Sequence, residues 1–375
     1  MNILHIYRTY YPDPPGGLQE AIRQIAAGCK SLGAESTVYT LSPTPVPEEF
    51  GRPEARVRRA RSWYAPASCD LGGPRAFRLF RECVDWADVL HFHYPWPFAD
   101  VLNLAVCSSK PKVMTYHSDV VKQRVLGKLY YPLMRHTLSD MDAVVATSPT
   151  YARTSPVLTR HVDAQRLHVI PLCMGDVLEE SVSRSESDIL DRLNLRGKRF
   201  VLSLGVLSYY KGLHVLLEAA REVRGTVVLA GSGPEEARLR QQAKALGLQN
   251  VVFAGMVSEV DKHALLRHCT LLALPSHLRS EAFGMVLLEA AMYSRPLVSC
   301  EIGTGTSYNN LDGETGFVVP PENPQALAHA INTLLDQPDL AMRLGAAARR
   351  RYETHFTPSV MSSAYMALYH KVLGR

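Results

Sequence analysis

The residues best placed to do chemistry lie in the stretch Pro275-Ser276-His277-Leu278-Arg279-Ser280-Glu281-Ala282-Phe283-Gly284-Met285-Val286-Leu287-Leu288-Glu289-Ala290-Ala291-Met292. Two carboxylates stand eight positions apart: Glu281 in a polar loop, and Glu289 in a helix expected from about Gly284 to Tyr293. Between them Phe283, Gly284, Met285 and Val286 offer backbone N–H groups at a helix N-terminus, where unpaired amides and the dipole favour an anion such as phosphate. Gly284 lets a ligand approach the main chain closely. Glu289 is a charge among Val286, Leu287, Leu288, Ala290 and Ala291. A carboxylate buried on so apolar a helix needs hydrogen-bond donors, and a vicinal diol suits its two oxygens. The plainer alternative is an exposed loop charge at 281 and a solvated helix residue at 289.

Other segments place polar residues where strands end. The apolar run Phe200 to Val206 leads through Gly205 to Lys211 and Gly212 at a strand-to-helix turn, where Lys211 could equally be an ordinary surface lysine. Val227 to Glu236 reads as strand, turn with Gly231 and Gly233, then helix; it lacks the third glycine of a dinucleotide fingerprint. At the N-terminus a strand from Ile3 to Tyr7 is followed by Gly16-Gly17 and a helix from Leu18 to Leu32, a layout that sets amides beside a phosphate. Ala87 to His93 is a strand with His91 and His93 on one face. Zinc would need a third ligand, none stands at recognisable spacing, and no metal is expected. Lys112 to Asp119 is a strand ending in His117 and Asp119. A lone histidine at a strand end is usually structural or solvated.

Nearly the whole chain resembles the retaining glycosyltransferases of family 4. Glu281 and Glu289, with Glu-Ala-Phe-Gly and Leu-Glu-Ala-Ala around them, resemble that family's Glu-x7-Glu signature. The resemblance implies the GT-B fold: α/β, two doubly wound Rossmann-like domains with a ligand cleft between them. It implies that Glu281 lies near the donor sugar, that the amides from Phe283 to Val286 hold its hydroxyls and phosphate, and that Glu289 binds the ribose diol. Thr115 to Asp119 resembles a phrase whose histidine reaches the donor sugar, which singles out His117. Asp88 to Pro95 resembles an Asp-x-x-His-x-His stretch at the acceptor side, implicating His93, with Asp119 beside it. Gly16 and Gly17 resemble the loop facing the donor phosphate, Gly231 and Gly233 the turn facing the nucleotide, and Met256 the residue whose backbone reads the base. Gly205 to Gly212 resembles the diphosphate clamp, with Lys211 matching and Val206 standing where arginine is usual; Arg8 and Arg279 are possible substitutes.

A chain of 375 residues suffices for two domains. His168 to Gly175 resembles the family's hinge, with Cys173 and Gly175 departing from its pattern. It puts an acceptor-side domain at 1–172 and a nucleotide-sugar domain at 173–356, with a terminal helix at 357–375 returning to the first. Residues 1–175 hold 20 Lys and Arg against 15 Asp and Glu, and 176–375 hold 21 against 21, so the whole +5 lies in the first half. It is dense at Arg52, Arg56, Arg58, Arg59 and Arg61, and again at Lys122, Arg124, Lys128 and Arg135. With Trp63, Tyr64, Tyr130 and Tyr131 nearby, these clusters fit an anionic membrane surface, or simply a solvated basic face. The aromatic pattern of a nucleic-acid module is lacking, so none is expected as a partner. Seven unpatterned cysteines and no signal region or membrane span point to a cytoplasmic protein, at most peripheral on the inner membrane.

The sequence therefore reads as a glycosyltransferase without cofactor or metal. Its expected donor is a nucleoside-diphosphate sugar, GDP-D-rhamnose or GDP-mannose by resemblance. Its expected acceptor is a lipid-linked glycan in surface-polysaccharide synthesis. The competing readings are a nucleotide-sugar binder weakened by Val206, and a sugar-nucleotide epimerase of the same fold.

Overall fold

Runs such as Phe200–Leu204, apolar but for Ser203, and Leu271–Leu274 have no polar face to offer water, so they form strands of parallel sheets covered on both sides. The computed structural model describes residues 1–13, 16–65, 69–119, 124–176 and 187–374, with the backbone alone for 124–129. The chain divides into two compact units, one of residues 1–173 with 358–375, the other of residues 174–357.

In the first unit the elements are β1 (Asn2–Ile6), α1 (Gly17–Ser31), β2 (Glu35–Ser42), β3 (Glu49–Gly51), β4 (Arg56–Tyr64), β5 (Leu71–Gly72), α2 (Pro74–Trp86), β6 (Val89–Tyr94) and α3 (Pro97–Val106). They continue with β7 (Lys112–Tyr116), α4 (Arg124–Ser139), β8 (Ala143–Ala146), α5 (Pro149–Thr154), α6 (Pro156–His161) and β9 (Leu167–Val169). The sheet runs β3-β4-β2-β1-β6-β7-β8-β9, with β5 on β4; β3 and β5 pair antiparallel and every other pair is parallel.

The second unit holds α7 (Ile189–Arg192), β10 (Phe200–Leu204), α8 (Leu213–Ala219), β11 (Thr226–Ala230), α9 (Glu236–Ala245), β12 (Val251–Gly255) and α10 (Glu259–His268). After these come β13 (Leu271–Leu274), α11 (Met285–Met292), β14 (Leu297–Cys300), α12 (Thr306–Asn309), β15 (Gly316–Val319), α13 (Pro324–Asp336) and α14 (Pro338–His355). Its sheet is wholly parallel in the order β12-β11-β10-β13-β14-β15. Counted within the unit this is 3-2-1-4-5-6, the doubly wound order of Rossmann-like domains, whose chain reverses direction between β10 and β13. Ligands of such sheets bind at that switch point, beyond the carboxyl ends of the strands.

The last helix, α15 (Pro358–Val372), belongs to the first unit. Its Met361, Tyr365, Leu368 and Tyr369 share a core with Ile25 and Cys29 of α1 and with Ile3, Val89, Val113 and Val145 of the sheet. Two phenols also enter that sheet: Tyr369 OH bonds His91 Nδ1 at 2.7 Å, and Tyr365 OH lies 2.9 Å from Thr115 Oγ1.

The first arginine cluster proves to be largely a strand rather than an open basic face. Arg56, Arg58, Arg59 and Arg61 lie on β4. Arg56 and Arg58 pair with Glu49, Arg58 also with Glu82, and Arg52 with Glu54. Arg59 is buried beneath Phe50 and donates to the Pro47 carbonyl. Arg61 has no carboxylate partner among the described residues, and it neighbours the exposed Trp63 and Tyr64. In the second cluster Lys122 and the side chains of Arg124 and Lys128 lie outside the described residues; Arg135 stands over the Tyr131 ring. Among the described residues no helix is long and apolar enough to cross a membrane.

The docking of α15 predicts the outcome of a single substitution. Tyr369→Phe leaves His91 Nδ1 buried without its partner, and denaturant unfolding should show the first unit weakened by about 1–3 kcal/mol. An unchanged midpoint would mean that the phenol contributes nothing to holding α15.

Candidate functional site

In the second unit the two elements that leave β10 and β13 meet at the switch point. Lys211 ends a short 3-10 turn after β10, and Glu281 lies in the loop after β13. Lys211 Nζ donates to Glu281 Oε2 at 2.5 Å, and Ser276 Oγ bonds the same oxygen at 3.2 Å. Burial alone would lower the lysine's pKa, but the negative charge of Glu281 outweighs it and the pKa is raised. Lys211 is therefore a cation at neutral pH.

Local geometry fixes this pair tightly. Gly212 has φ +67°, and a Cβ there would sit 2.0 Å from the Pro275 carbonyl, so only glycine lets the two turns approach. His277 clips them together, its Nε2 donating to the Tyr209 carbonyl at 3.0 Å while Nδ1 faces Glu322 at 2.8 Å. The backbone N–H of His277 adds a bond to the Tyr210 carbonyl at 3.0 Å. Thr304 Oγ1 donates to the Glu281 carbonyl at 2.7 Å.

Beyond Glu281 the chain turns at Gly284, φ +80°, into α11. Asn309 anchors the Phe283 carbonyl at 2.6 Å, while the amides of Phe283, Gly284, Met285 and Val286 have no acceptor among the described residues. These are unpaired donors at a helix N-terminus, as the sequence leads one to expect. Glu289 is half-buried, and its partner is Lys262 of α10 at 3.1 Å, a lysine that also bridges to Glu259. Nothing in the spacing around Glu289 pointed to Lys262, which arrives from the preceding helix.

The glycines at 231 and 233 have a structural reason independent of any ligand. A Cβ on Gly231 would meet the Gly205 carbonyl at 2.0 Å, and one on Gly233 the Leu207 carbonyl at 2.5 Å. They lock the turn after β11 onto the turn after β10, with Leu207 N–H bonded to the Ser232 carbonyl at 3.0 Å. Met256, directly after β12, is 81% exposed. Val206 is exposed too, and being valine it brings no cation to that position of the turn. Arg279 donates to the Gly303 carbonyl, and Arg8 in the first unit pairs with Asp70.

In the first unit Gly16 caps α1 and Gly17 begins it, so their amides are those of a helix N-terminus. His117 follows β7 and is nearly buried; its Nε2 lies 3.1 Å from His93 Nδ1. His93 Nε2 in turn lies 3.1 Å from His5 Nδ1. With both ring nitrogens engaged and the side chain 1% exposed, His93 has no atom left for a ligand. The direct acceptor contact expected of His93 would need one of these two bonds to be given up. Asp119 accepts from Ser155 Oγ at 2.7 Å and from Tyr116 OH at 3.1 Å, and its N–H donates to Tyr151 OH at 2.6 Å. His5 was missed because it reaches this cluster from β1, remote in sequence.

The strand order defines a Rossmann-like, doubly wound class of domain. Comparison with known proteins narrows this further. Residues 186–351 match the profile described as glycosyl transferases group 1, and residues 16–173 that of a glycosyl transferase 4-like domain. The chain is 41% identical over 373 residues to the O-antigen chain mannosyltransferase C of Escherichia coli, covering 100% of this chain and 99% of that protein. It is 44% identical over 357 residues to the D-rhamnosyltransferase WbpZ of Pseudomonas aeruginosa, covering 95% and 92%. The fold is also that of sucrose-phosphate synthase from Thermosynechococcus elongatus, with a TM-score of 0.79 at 22% identity, covering 100% and 99% of the two chains. The chain belongs to the family 4-like glycosyltransferases of GT-B fold.

The buried imidazoles carry a pH prediction. Burial pushes His5 and His117 down to about 3 and holds His91 and His93 well below their ordinary 6.5. Below pH 6.5 the unfolded chain takes up protons that the folded unit refuses, so this contribution to stability is lost as pH falls from 6.5 toward 3. Asp100, pushed up to about 7 by burial, works in the opposite sense between 3.8 and 7. From the pH dependence of urea unfolding near pH 5, His5→Phe should reduce proton uptake by about one. Unchanged uptake would mean that His5 is already charged in the fold.

Proposed function

We propose that this chain is a retaining glycosyltransferase that moves D-rhamnose or mannose from a GDP-sugar to a lipid-linked glycan in lipopolysaccharide O-antigen synthesis. The observation that carries the reading is the Lys211–Glu281 pair beyond β10 and β13, beside the unpaired amides from Phe283 to Val286. The full-length relatives, a mannosyltransferase and a rhamnosyltransferase by name, support the sugar and the pathway.

In this reading Lys211 turns from Glu281 to the diphosphate, whose negative charge grows as the sugar leaves. The amides at the start of α11 share that charge, so lysine and main chain serve in place of a metal ion. Glu281, released, accepts from sugar hydroxyls. Glu289 exchanges Lys262 for the ribose diol, the backbone of Met256 reads the base, and His117 hydrogen-bonds the donor sugar. The acceptor hydroxyl attacks from the face the diphosphate leaves, giving its proton to the departing phosphate, and no enzyme nucleophile is required. Gly231 and Gly233 shape the nucleotide turn, and Asp119 supports the loop after β7. Arg61, Trp63 and Tyr64 are proposed to rest on the inner face of the cytoplasmic membrane, where the acceptor lipid resides.

Transfer from radiolabelled GDP-mannose or GDP-rhamnose to extracted lipid-linked acceptor tests the proposal. Lys211→Ala should abolish it; donor binding without transfer in the unaltered protein would favour the binder suggested by Val206. Glu289→Ala should raise donor KM more than it lowers kcat, because ribose binding is the same in ground and transition states. A loss confined to kcat would contradict the ribose assignment.

A further inference from the structure

Strands β1, β6 and β7 lie side by side, with His5 level with His91 and His93 level with Thr115. His5, His91 and His93 bring ring nitrogens within 4.8 Å of one another, a grouping that resembles a metal cage. The hydrogen bonds exclude that use. Both nitrogens of His91 are taken, by Thr115 Oγ1 at 2.7 Å and Tyr369 OH at 2.7 Å. Both nitrogens of His93 are taken by His5 and His117, at 3.1 Å each. His5 Nε2 alone remains, fully buried and without a partner, and one nitrogen does not hold a metal ion. The array is instead a chain of imidazoles with a blind end at His5 Nε2 and an open end at His117 Nδ1, which no group among the described residues engages.

Its protons can be counted. Burial keeps the rings of His5, His93 and His117 neutral, so each carries one N–H. Each N···N contact needs one hydrogen, which leaves two arrangements. If His117 Nε2–H donates to His93 and His93 Nε2–H donates to His5, then His5 must carry its own proton on Nε2. That is a buried N–H with no acceptor, the rarer of the two faults. If His5 Nδ1–H donates to His93 and His93 Nδ1–H donates to His117, the blind end is only a bare lone pair. The second arrangement places the last proton on His117 Nδ1.

We infer that His5 and His93 are positioning residues that hold His117 as its Nδ1–H tautomer, so that the ring offers a hydrogen-bond donor, and not an acceptor, to an oxygen of its ligand. This rests on the proposed role of His117 toward a sugar oxygen, and it adds the direction of that bond and the residues that set it. Which nitrogen carries the proton is governed by the bond made at the other, and here that bond is supplied by a neighbour itself fixed by another.

The full chain labelled with 15N-histidine tests this without any substrate. Long-range proton–nitrogen spectra, with His117 identified by loss of its signals in His117→Gln, should show Nδ1 protonated and Nε2 bare. A protonated Nε2 would overturn the inference. His93→Phe removes the donor to Nε2, and the His117 pattern should relax to a mixture of tautomers while kcat for sugar transfer falls about 10-fold. His93→Gln, whose amide can still donate, should restore part of that loss. An unchanged His117 pattern in His93→Phe would overturn the relay. A shifted pattern with undiminished transfer would leave the relay standing and remove His117 from the reaction. Should His93→Phe not fold, the spectrum of the unaltered protein decides alone.

Discussion

A half-buried lysine held against a buried carboxylate is the interaction around which the second unit is arranged. Such a pair is poor evidence for stability, because desolvating two charges offsets most of their attraction. Yet the surroundings are built to keep it: Gly212 admits the Pro275 carbonyl, His277 bonds both turns, and Ser276 shares the carboxylate oxygen. Those contacts hold Lys211 and Glu281 at the switch point of a 3-2-1-4-5-6 sheet, where two diverging chain segments leave room for a ligand. A cation with a displaceable anionic partner, beside unpaired amides, is what the proposed grip on a diphosphate and a polyol requires. In that proposal the pair is the resting state of the site.

The first unit solves a different problem. Its sheet carries histidines on adjacent strands, in a core sealed by the terminal helix, and each must stay neutral and find hydrogen bonds there. Tyr369 and Thr115 satisfy His91, while His5, His93 and His117 bond one another in a row that leaves His5 Nε2 without a partner. One chain of contacts thus runs from the blind end of the core to the loop after β7, where the sequence places its candidate functional histidine.

How much of this was legible beforehand follows from where each residue's partners lie. Glu281, Glu289 and the amides between them occupy one loop and one helix, so their spacing suggested a site, and the family resemblance rather than the spacing separated it from an exposed loop charge and a solvated helix residue. The turn that carries Lys211 was legible through glycine and an apolar run, but the lysine itself stood out from an ordinary surface lysine only through the family resemblance. Lys262, His277 and His5 were not singled out. Their partners sit on other elements, and side-chain pairing across a parallel sheet leaves no short-range pattern. The strand β4 was hidden for another reason: alternating arginines resemble a solvated charge run until Glu49, Glu82 and Phe50 are brought against them. Gly231 and Gly233 carried the right residue type, but backbone contact with Gly205 and Leu207 already requires glycine there.

The most direct test is calorimetric titration of the full chain with GDP, repeated with Lys211→Met and with UDP and ADP for comparison. The account predicts that GDP binds in preference to the other two, and that Lys211→Met loses about 10- to 150-fold in affinity, the equivalent of about 1.5–3 kcal/mol for a charged hydrogen bond. Equal affinity in Lys211→Met would contradict it, because the lysine held by Glu281 would then have no part in gripping the diphosphate.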